Sequence, residues 1–465
     1  MTFLLSLCGP LCPLWLGISL HTRFSLQNRY DTTMSSVGRL LILLAFCDAA
    51  MAQNASVSRI PIGMAYAATA VNVAVFRCAA VTSAGGYQFA AYYDPGGHIV
   101  VGRRKTGETA WDLATLDSVG NVHDAHNVVV LGVSADGIIH LSYDQHGQPL
   151  HYRASLKPWD VHSFGPEQAM TGQTEGRVTY PQFVCGPHGE LYFFYRDGAS
   201  GNGSLCLNRY DAAKRSWAAV HHPLIDGLNR CNPYWWRPAV GADGAIHLAW
   251  CWRDRPDAET NHDICYARSD DGGRTWRRSD GKNQPLPITP DNAEVIEPVA
   301  PGSNLINQCS GAVDGNGRPH FVQYLNDSAG VPQYFHLWFD GSRWQNNQVS
   351  RRTEKFSIGG GGSLAIPISR PEIAISRSGL VYVIARDAAV GGGIRLYRAA
   401  PPYRDWTAID LLKQDLGNWE PSYDLQRWSR DGILSLFVLP ARQGNHEQTT
   451  DFPPQEAEIL ETGLK

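Results

Sequence analysis

The sequence predicts an all-β protein, a seven-bladed β-propeller, and two recurring patterns are the basis for this. A glycine-containing turn followed by an alternating apolar run occurs seven times, at spacings of roughly 40 to 75 residues, which is the range for propeller blades. A tryptophan then ends a polar turn later in most of these units. No persuasive helical periodicity extends beyond about ten residues. A pair of β-sandwiches is the leading alternative fold.

The first pattern justifies the strands. Its copies lie at residues 95–101, 135–143, 187–195, 242–250, 315–322, 377–383 and 430–436. The Asp-Gly and Asn-Gly steps in several copies favour tight hairpins, because such turns require a positive φ. The alternation that follows each turn has the period of two that is typical of half-buried strands.

The second pattern indicates where neighbouring blades pack against each other. The tryptophans are Trp111, Trp159, Trp217, Trp276, Trp344 and Trp406. The segment 269–276, Ser-Asp-Asp-Gly-Gly-Arg-Thr-Trp, resembles the Asp box of sialidase-like propellers, in which a carboxylate and a hydroxyl bind turn amides. We read it as a structural device that argues for the fold and not for chemistry.

The chain ends are expected to lie outside the propeller. We divide the chain into a leader at 1–52, the seven-bladed propeller at 53–445 and a polar C-terminal tail at 446–465. Met34, Arg39 and the apolar run at 40–45 precede a small-residue cleavage pattern at 50–52, which is typical of a secretory signal peptide. The signal begins best at Met34, and the expected location is secreted or periplasmic. The strand that closes the ring is expected within residues 66–75.

Charge and hydropathy exclude some partners. The 465 residues carry a formal net charge of −4, so no overall basic field attracts nucleic acid. Beyond the N-terminal leader no segment is typical of a membrane span. We expect a monomer with no nucleic-acid or membrane partner, and an anionic ligand would need a local basic site.

The cysteines leave three interpretations open. Without the leader there are seven, an odd number. Cys231, Cys251, His262 and Cys265 offer the sulfur and nitrogen ligands of a structural zinc site. A disulfide between Cys251 and Cys265, or plain buried thiols, are the alternatives.

Candidate chemistry lies at the entries to the repeated strands. Short motifs there contain His126, Tyr180, Arg237, Gln308, Arg370 and Glu420. Such polar residues would ring one central funnel, although Glu420 and Arg370 also fit a purely structural role at turns that contain proline. The motif at 123–126 places two histidines near one strand start. By contrast, His140, His247 and His320 occupy one repeated slot and are interpreted as structural.

The segments HDAHN at 123–127, TYPQF at 179–183 and YRDGASGNG at 195–203, with the strand 136–153 between the first two, resemble BNR-repeat propeller polysaccharide lyases that include the ulvan lyases. The likeness is specific from about residue 121 to 204. It implies catalytic roles for His126, His146, Tyr180 and Arg196. It also implies that the strand following Asn232 faces substrate, with Tyr234 and Arg237, together with Asn127, as substrate-binding residues.

The resemblance implies β-elimination in a uronate-containing, ulvan-like polysaccharide of rhamnose and glucuronate. Arg196, with His146, would bind the carboxylate and stabilise the enolate-like state. His126 or Tyr180 would remove the proton, and the residues do not decide between them. No cofactor is expected to be required for catalysis.

Two other classes of function remain open. An α-L-rhamnosidase or other glycoside hydrolase on the same fold is one, and Arg59-Ile-Pro61 matches a motif of sialidases. A non-catalytic carbohydrate-binding propeller is the other. Product analysis separates them, because a lyase gives an unsaturated sugar, a hydrolase a saturated sugar and a lectin no product.

Overall fold

Seven β-sheets of three to five strands surround a central channel. The computed structural model describes residues 57–464, and the predicted signal peptide lies outside them. In this part of the chain no helix is long and apolar enough to cross a membrane. The seven-bladed propeller predicted from the sequence is confirmed, and the sandwich alternative is wrong.

The first three blades follow one another along the chain. Blade 1 contains β2 (Val81–Ala84), β3 (Tyr87–Tyr93), β4 (His98–Lys105) and β5 (Asp112–Val119). Blade 2 contains β6 (Val130–Val133), β7 (Ile139–Ser142) and β9 (Tyr152–Ala154). Blade 3 contains β10 (Val178–Cys185), β11 (Leu191–Ala199), β12 (Asn202–Asp211) and β13 (Ser216–Asp226), and the short β8 (His146–Gln148) pairs with β10.

The next three blades repeat the meander. Blade 4 contains β14 (Asn232–Trp235), β15 (Ala239–Val240), β16 (Ile246–Arg253), β17 (Asn261–Ser269) and β18 (Glu294–Glu297). Blade 5 contains β19 (Ser310–Val313), β20 (Pro319–Asn326), β21 (Pro332–Phe339) and β22 (Trp344–Gln348). Blade 6 contains β23 (Glu372–Ile375), β24 (Val381–Ala385), β25 (Ile394–Ala399) and β26 (Thr407–Leu412). Single 3₁₀ turns lie at Val75–Arg77, Ala258–Thr260 and Ala388–Val390.

Blade 7 closes the ring from both ends of the chain. Its strands are β27 (Ile433–Val438), β28 (Gln455–Gly463) and β1 (Ser58–Ala65), in the order β1-β28-β27. A short helix, α1 (Leu425–Asp431), precedes β27. Two expectations are therefore wrong: residues 455–463 are a paired strand and not part of a polar tail, and the closing strand is 58–65 and not 66–75. The polar residues misled because Glu456 and Glu461 flank a buried run at 457–460, within which Glu458 is itself buried and paired with Arg59.

The repeated turns have the backbone that the glycine steps predicted. All seven glycines of the pattern have positive φ, between 68° and 88°: Gly97, Gly137, Gly189, Gly244, Gly317, Gly379 and Gly432. At Gly137 the reason is also steric, because an added Cβ would lie 2.5 Å from the ring of Trp159. One tryptophan of the second pattern thus packs directly on a turn of the first.

The repeated histidine slot is structural, as predicted. His140, His247 and His320 are fully buried. The Nδ1 atoms of His140 and His247 each lie 2.7 Å from a tyrosine hydroxyl, and that of His320 lies 2.8 Å from His336. Burial lowers the pKa of all three. These imidazoles are neutral core residues.

Candidate active site

Asp124 joins two histidines at one end of the channel. Its Oδ1 lies 2.8 Å from His126 Nδ1 and its Oδ2 lies 2.6 Å from His146 Nδ1. The two imidazole rings stack with centroids 3.9 Å apart. The predicted neighbours His126 and His146 therefore do meet, through a carboxylate to which the sequence had assigned no role. His123 is exposed and contacts Tyr66 instead.

Local backbone geometry explains this arrangement. His126 lies in the loop between β5 and β6, where its backbone N–H also donates to Asp124 Oδ1 at 2.9 Å. His146 begins β8 and pairs with Thr179 of β10. Thr179 precedes Tyr180, so the pairing of β8 with β10 places the second histidine next to the predicted tyrosine.

The two histidines differ in charge. Burial lowers the pKa of His126, but the carboxylates of Asp124 and Glu447 outweigh it and raise the pKa to about 9. Burial, together with the charges of His126 and Arg196, lowers the pKa of His146. Although burial opposes it, the two histidines lower the pKa of Asp124. At neutral pH His126 is an imidazolium and His146 is a neutral imidazole.

Tyr180 and Arg196 form the second part of the site. Tyr180 has a φ of +56° at an irregularity in the β10–β11 register, a strained conformation for a bulky residue. The Arg196 guanidinium lies 4.9 Å from the Tyr180 ring centroid and donates to Thr179 Oγ1 at 3.0 Å. Arg196 is 2% exposed, so it acts from behind the tyrosine and does not face the open side.

Tyr234 completes a tyrosine pair beside two guanidinium groups. Its ring centroid lies 5.8 Å from that of Tyr180, and its hydroxyl lies 2.8 Å from Ser200 Oγ. Arg253 lies 4.0 Å from the Tyr234 ring centroid, and Arg196 donates to the hydroxyl at 3.4 Å. Burial alone would raise the pKa of Tyr234, but Arg253 and Arg196 lower it to about 7. Burial and Tyr234 itself raise the pKa of Tyr180.

A cavity of about 70 Å³ opens onto this cluster. Five of the six strand-entry residues named from the sequence line it: His126, Tyr180, Gln308, Arg370 and Glu420. The predicted funnel therefore exists. Arg370 and Glu420 neutralise each other, with 3.0 Å between their charged atoms, which is the structural role that the sequence had left open for both.

Arg253 is a cation of this cavity that the sequence did not predict. It lines the cavity, donates to Asn261 and Asn307, and forms no ion pair with any residue in 57–464. The sequence did contain a signal for Arg253, which is its position at the end of an apolar strand. Arg253 ends β16, and Arg196 likewise follows the apolar residues of β11 in the preceding blade. The distance along the chain from Gly244 to Arg253 is two residues longer than that from Gly189 to Arg196. Because successive side chains of a strand point to opposite faces, a difference of two places both arginines on the same face of their blades.

None of the three predicted substrate-binding residues lines the cavity. Asn127 is 4% exposed and donates to the carbonyl of Asn121, so it supports the loop. Arg237 lines a separate cavity of about 850 Å³ further along the channel, where Glu372 pairs with it at 2.7 Å. Its charge is already neutralised there, so Arg237 does not belong to the cavity at His126 and Tyr180. Of the three, only Tyr234 lies among the predicted catalytic residues.

The predicted zinc ligands do not gather. Within residues 57–464 only Asp124, His126 and His146 bring three metal-binding atoms within 4.8 Å of one another. Cys251 pairs with Ile264, and Cys265 pairs with Trp250, so the two thiols point to opposite faces of the sheet. His262 contacts Asp254 and Asp263. The zinc site and the disulfide are both contradicted, and Cys231, Cys251 and Cys265 are buried free thiols.

The Asp124 cluster itself is a hydrogen-bonded unit. Each carboxylate oxygen already lies at hydrogen-bond distance from one imidazole nitrogen, so Asp124 accepts from both rings. The arginine of the sialidase-like motif is also already paired. Arg59 forms a salt bridge with Glu458 on the outer strands of blade 7. It lies on a different part of the propeller from the cavity.

A family model described as a BNR repeat-containing family member matches residues 87–352, more than half of the chain. The chain belongs to this BNR-repeat family. The matched segment covers four of the blades and part of a fifth, and it includes every residue of the cluster except Glu447.

Curated relatives of this BNR-repeat protein include two from Alteromonas sp. (strain LOR). A protein named "Ulvan lyase, short isoform" is 25% identical over 183 residues, which is 34% of each chain. A protein named "Ulvan lyase" is 23% identical over 260 residues, 48% of this chain and 53% of that one. The matches thus span between a third and about half of the length of these relatives.

Solved structures share the architecture over most of their length. The polysaccharide lyase Uly1 superposes with a TM-score of 0.62 at 17% identity, covering 83% of this chain and 90% of that one. A PL25 ulvan lyase bound to -[GlcA(1-4)Rha3S]- gives a TM-score of 0.65 at 14% identity, covering 87% and 94%. At these identities the likeness shows the fold, and together with the family match it confirms the resemblance to the BNR-repeat ulvan lyases.

Proposed function

We propose that this protein is a polysaccharide lyase that cleaves a uronate-containing polysaccharide of rhamnose and glucuronate by β-elimination. The observation that carries the proposal is the cavity where the His126 imidazolium, the Arg253 guanidinium and the Tyr180 ring meet. Cations that bind a carboxylate, next to a phenol that can ionise, are what this reaction requires. The names of the curated relatives support the same class.

In the proposed reaction the uronate carboxylate binds Arg253 and the His126 imidazolium. Their charges stabilise the enolate-like anion that forms as the C5 proton leaves. The cavity of about 70 Å³ is well below the roughly 300 Å³ of a typical ligand pocket. It therefore takes the carboxylate and the C5 edge of one sugar, while the rest of the polymer lies outside the mouth.

The base is assigned to the tyrosine pair. Arg253 and Arg196 lower the pKa of Tyr234 to about 7, so the negative charge of the pair lies on Tyr234. Tyr180, the member that lines the cavity, has a raised pKa and becomes the phenolate base once its proton passes to Tyr234. The phenolate takes the C5 proton, the electron pair of that bond forms the C4=C5 double bond, and the C4–O bond breaks. The leaving oxygen takes a proton from His126 or from the newly formed phenol. Of the two candidates, His126 is disfavoured as the base because it is already protonated.

The carboxylates argue against the hydrolase alternative. A glycoside hydrolase needs two carboxyl groups flanking the bond that breaks. Glu420 is the one carboxylate that lines the cavity in the described part of the chain, and it accepts hydrogen bonds from Arg370 and from the backbone of Val75. Asp124 is held by two histidines. Among the residues in 57–464 that line the cavity, no pair of free carboxylates is left for acid and base roles.

The test is incubation with a panel of polysaccharides, read by ultraviolet absorbance and by mass. Ulvan and unsulfated rhamnosyl-glucuronate polymers should yield a product with a conjugated C4=C5 bond, and a neutral rhamnan should yield none. Saturated products that carry one added water would indicate a hydrolase and contradict the lyase proposal. Polymer that binds to the protein but stays unchanged would indicate a lectin.

The variants Y180F and H126A should each abolish the unsaturated product. The matched control is Y266F, because the Tyr266 hydroxyl contacts His247 within blade 4 and does not line the cavity. Full activity in Y180F or in H126A would remove that residue from the mechanism.

We further propose that the protein is secreted or periplasmic, monomeric, needs no cofactor, and has no nucleic-acid or membrane partner. The signal-peptide pattern supports the location. The turn at 269–276 is proposed to be an Asp box, and its hydrogen bonds support this, because Asp271 accepts from the backbone of Arg274 and Thr275.

A further inference from the structure

The connection between β27 and β28, residues 439–454, brings a second carboxylate to His126. Glu447 Oε1 lies 3.3 Å from His126 Nδ1 and accepts from the Ser363 backbone N–H at 2.7 Å. Its other oxygen, Oε2, is buried and has no hydrogen-bond partner in the described structure. One imidazole nitrogen thus faces two carboxylates, Asp124 from its own loop and Glu447 from the far end of the chain.

The connection is held in place around Glu447 by a second loop. The His446 backbone N–H donates to the Ser363 carbonyl at 2.8 Å, and the Ala365 N–H donates to Asn445 Oδ1 at 2.7 Å. His446 and Glu447 have φ values of +56° and +61°. Two consecutive non-glycine residues in the left-handed region are strained, and such strain persists only where the surroundings enforce it. The contacts therefore deliver Glu447 to His126 at a conformational cost.

The charges around His126 show what Glu447 contributes. The ring is buried against Phe76 on one side and His146 on the other. Each oxygen of the Asp124 carboxylate contacts one of the two histidines. Arg196 interacts electrostatically with His146, and Tyr234 interacts electrostatically with His126. Burial alone disfavours a charged imidazole. Glu447 therefore adds negative charge at His126. Unlike Asp124, which contacts two histidines, Glu447 forms an ion pair with no other histidine in the described structure.

We propose that Glu447 is a positioning residue of the active site, which together with Asp124 fixes the orientation and the positive charge of His126. Because both carboxylates can only accept hydrogen bonds, they hold the Nδ1 hydrogen of His126 between them. The other nitrogen, Nε2, is left for the substrate. This inference rests on the proposed lyase function for its catalytic consequence, but the contact itself can be tested without it.

The test compares E447Q with the wild type and with E456Q. Glu456 is an exposed residue of β28, so its amide variant makes the same change of charge away from the site. The proton titration of the His126 ring is followed by NMR, and the pH profile of kcat/KM is measured on ulvan. In E447Q the His126 titration and the alkaline limb of activity should both move down by about one to three pH units, as expected for loss of an opposite charge in contact.

The outcomes are distinct. Unchanged titration and unchanged pH profile in E447Q would overturn the inference and leave the lyase proposal intact. If no polymer yields unsaturated product, the lyase proposal fails, and the His126 titration alone decides the role of Glu447. Should E447Q fail to fold, E447D is the second variant, because it keeps the charge on a shorter side chain. The His126 titration midpoint and the alkaline limb of activity in E447D should lie between those of the wild type and those expected for a variant without the charge. A His126 titration and a pH profile identical to the wild type in E447D would also count against the inference.

Discussion

The pairing of Arg237 with Glu372 predicts a large loss of stability in E372Q. The two side chains are 5% and 2% exposed, and their closest charged atoms are 2.7 Å apart. Removing the carboxylate leaves a buried guanidinium without a counter-charge, and breaking a buried pair in this way costs about 3–5 kcal/mol. The measurement is urea unfolding followed by tryptophan fluorescence, with the midpoint compared at constant slope.

A surface pair provides the matched control. Arg230 and Asp291 are 2.8 Å apart but are 53% and 66% exposed, so D291N should lose no more than about 1 kcal/mol. The double variant R237M/E372M should recover stability relative to E372Q, because it buries no charge. Equal losses in E372Q and D291N, or loss of substrate binding in a folded E372Q, would refute the conclusion that Arg237 serves the channel and not the substrate.

Two further predictions concern pH and the turn at 269–276. Activity should be lost as the pH falls through about 7, because Tyr234 must be a phenolate to accept the proton of Tyr180, and lost again as it rises through about 9, because His126 must stay protonated. A kcat/KM profile that falls toward high pH without an acid limb would contradict the tyrosine assignment. D271A removes the acceptor for the Thr275 hydroxyl and the Arg274 amide and should cost about 1–2 kcal/mol of stability without changing the product. A changed product spectrum in D271A would show that the turn is not purely structural.

Most of the candidate site was predictable, since its members lie near strand ends of successive blades. His126, His146, Tyr180 and Arg196 all come together, because neighbouring hairpins of a propeller present equivalent positions to one face. The roles were less predictable. Arg196 is buried behind Tyr180, while Arg253, not named from the sequence, lines the cavity.

The failed predictions have a common cause. The cysteine set was chosen by residue type, but the pairing of β16 with β17 sends Cys251 and Cys265 to opposite faces. Arg237 was chosen by its place in a strand entry, but Glu372 from another blade neutralises it. The polar tail was chosen by composition, but residues 457–460 are buried in β28, which is paired on both sides. Each error concerns a pairing between strands or side chains that residue type and composition do not show.

The sequence by itself determined the architecture, because turn glycines, the period of two and the packing tryptophans are local signals repeated in each blade. It also determined which residue types meet at the mouth of the channel. Only the tertiary structure decided their ionisation, since the charge of His126 depends on Asp124 and Glu447 together, and that of Tyr234 on Arg253 and Arg196. Electrostatic interactions of buried groups act through space at distances of a few ångström, and ring closure brings residues from opposite ends of the chain within that distance.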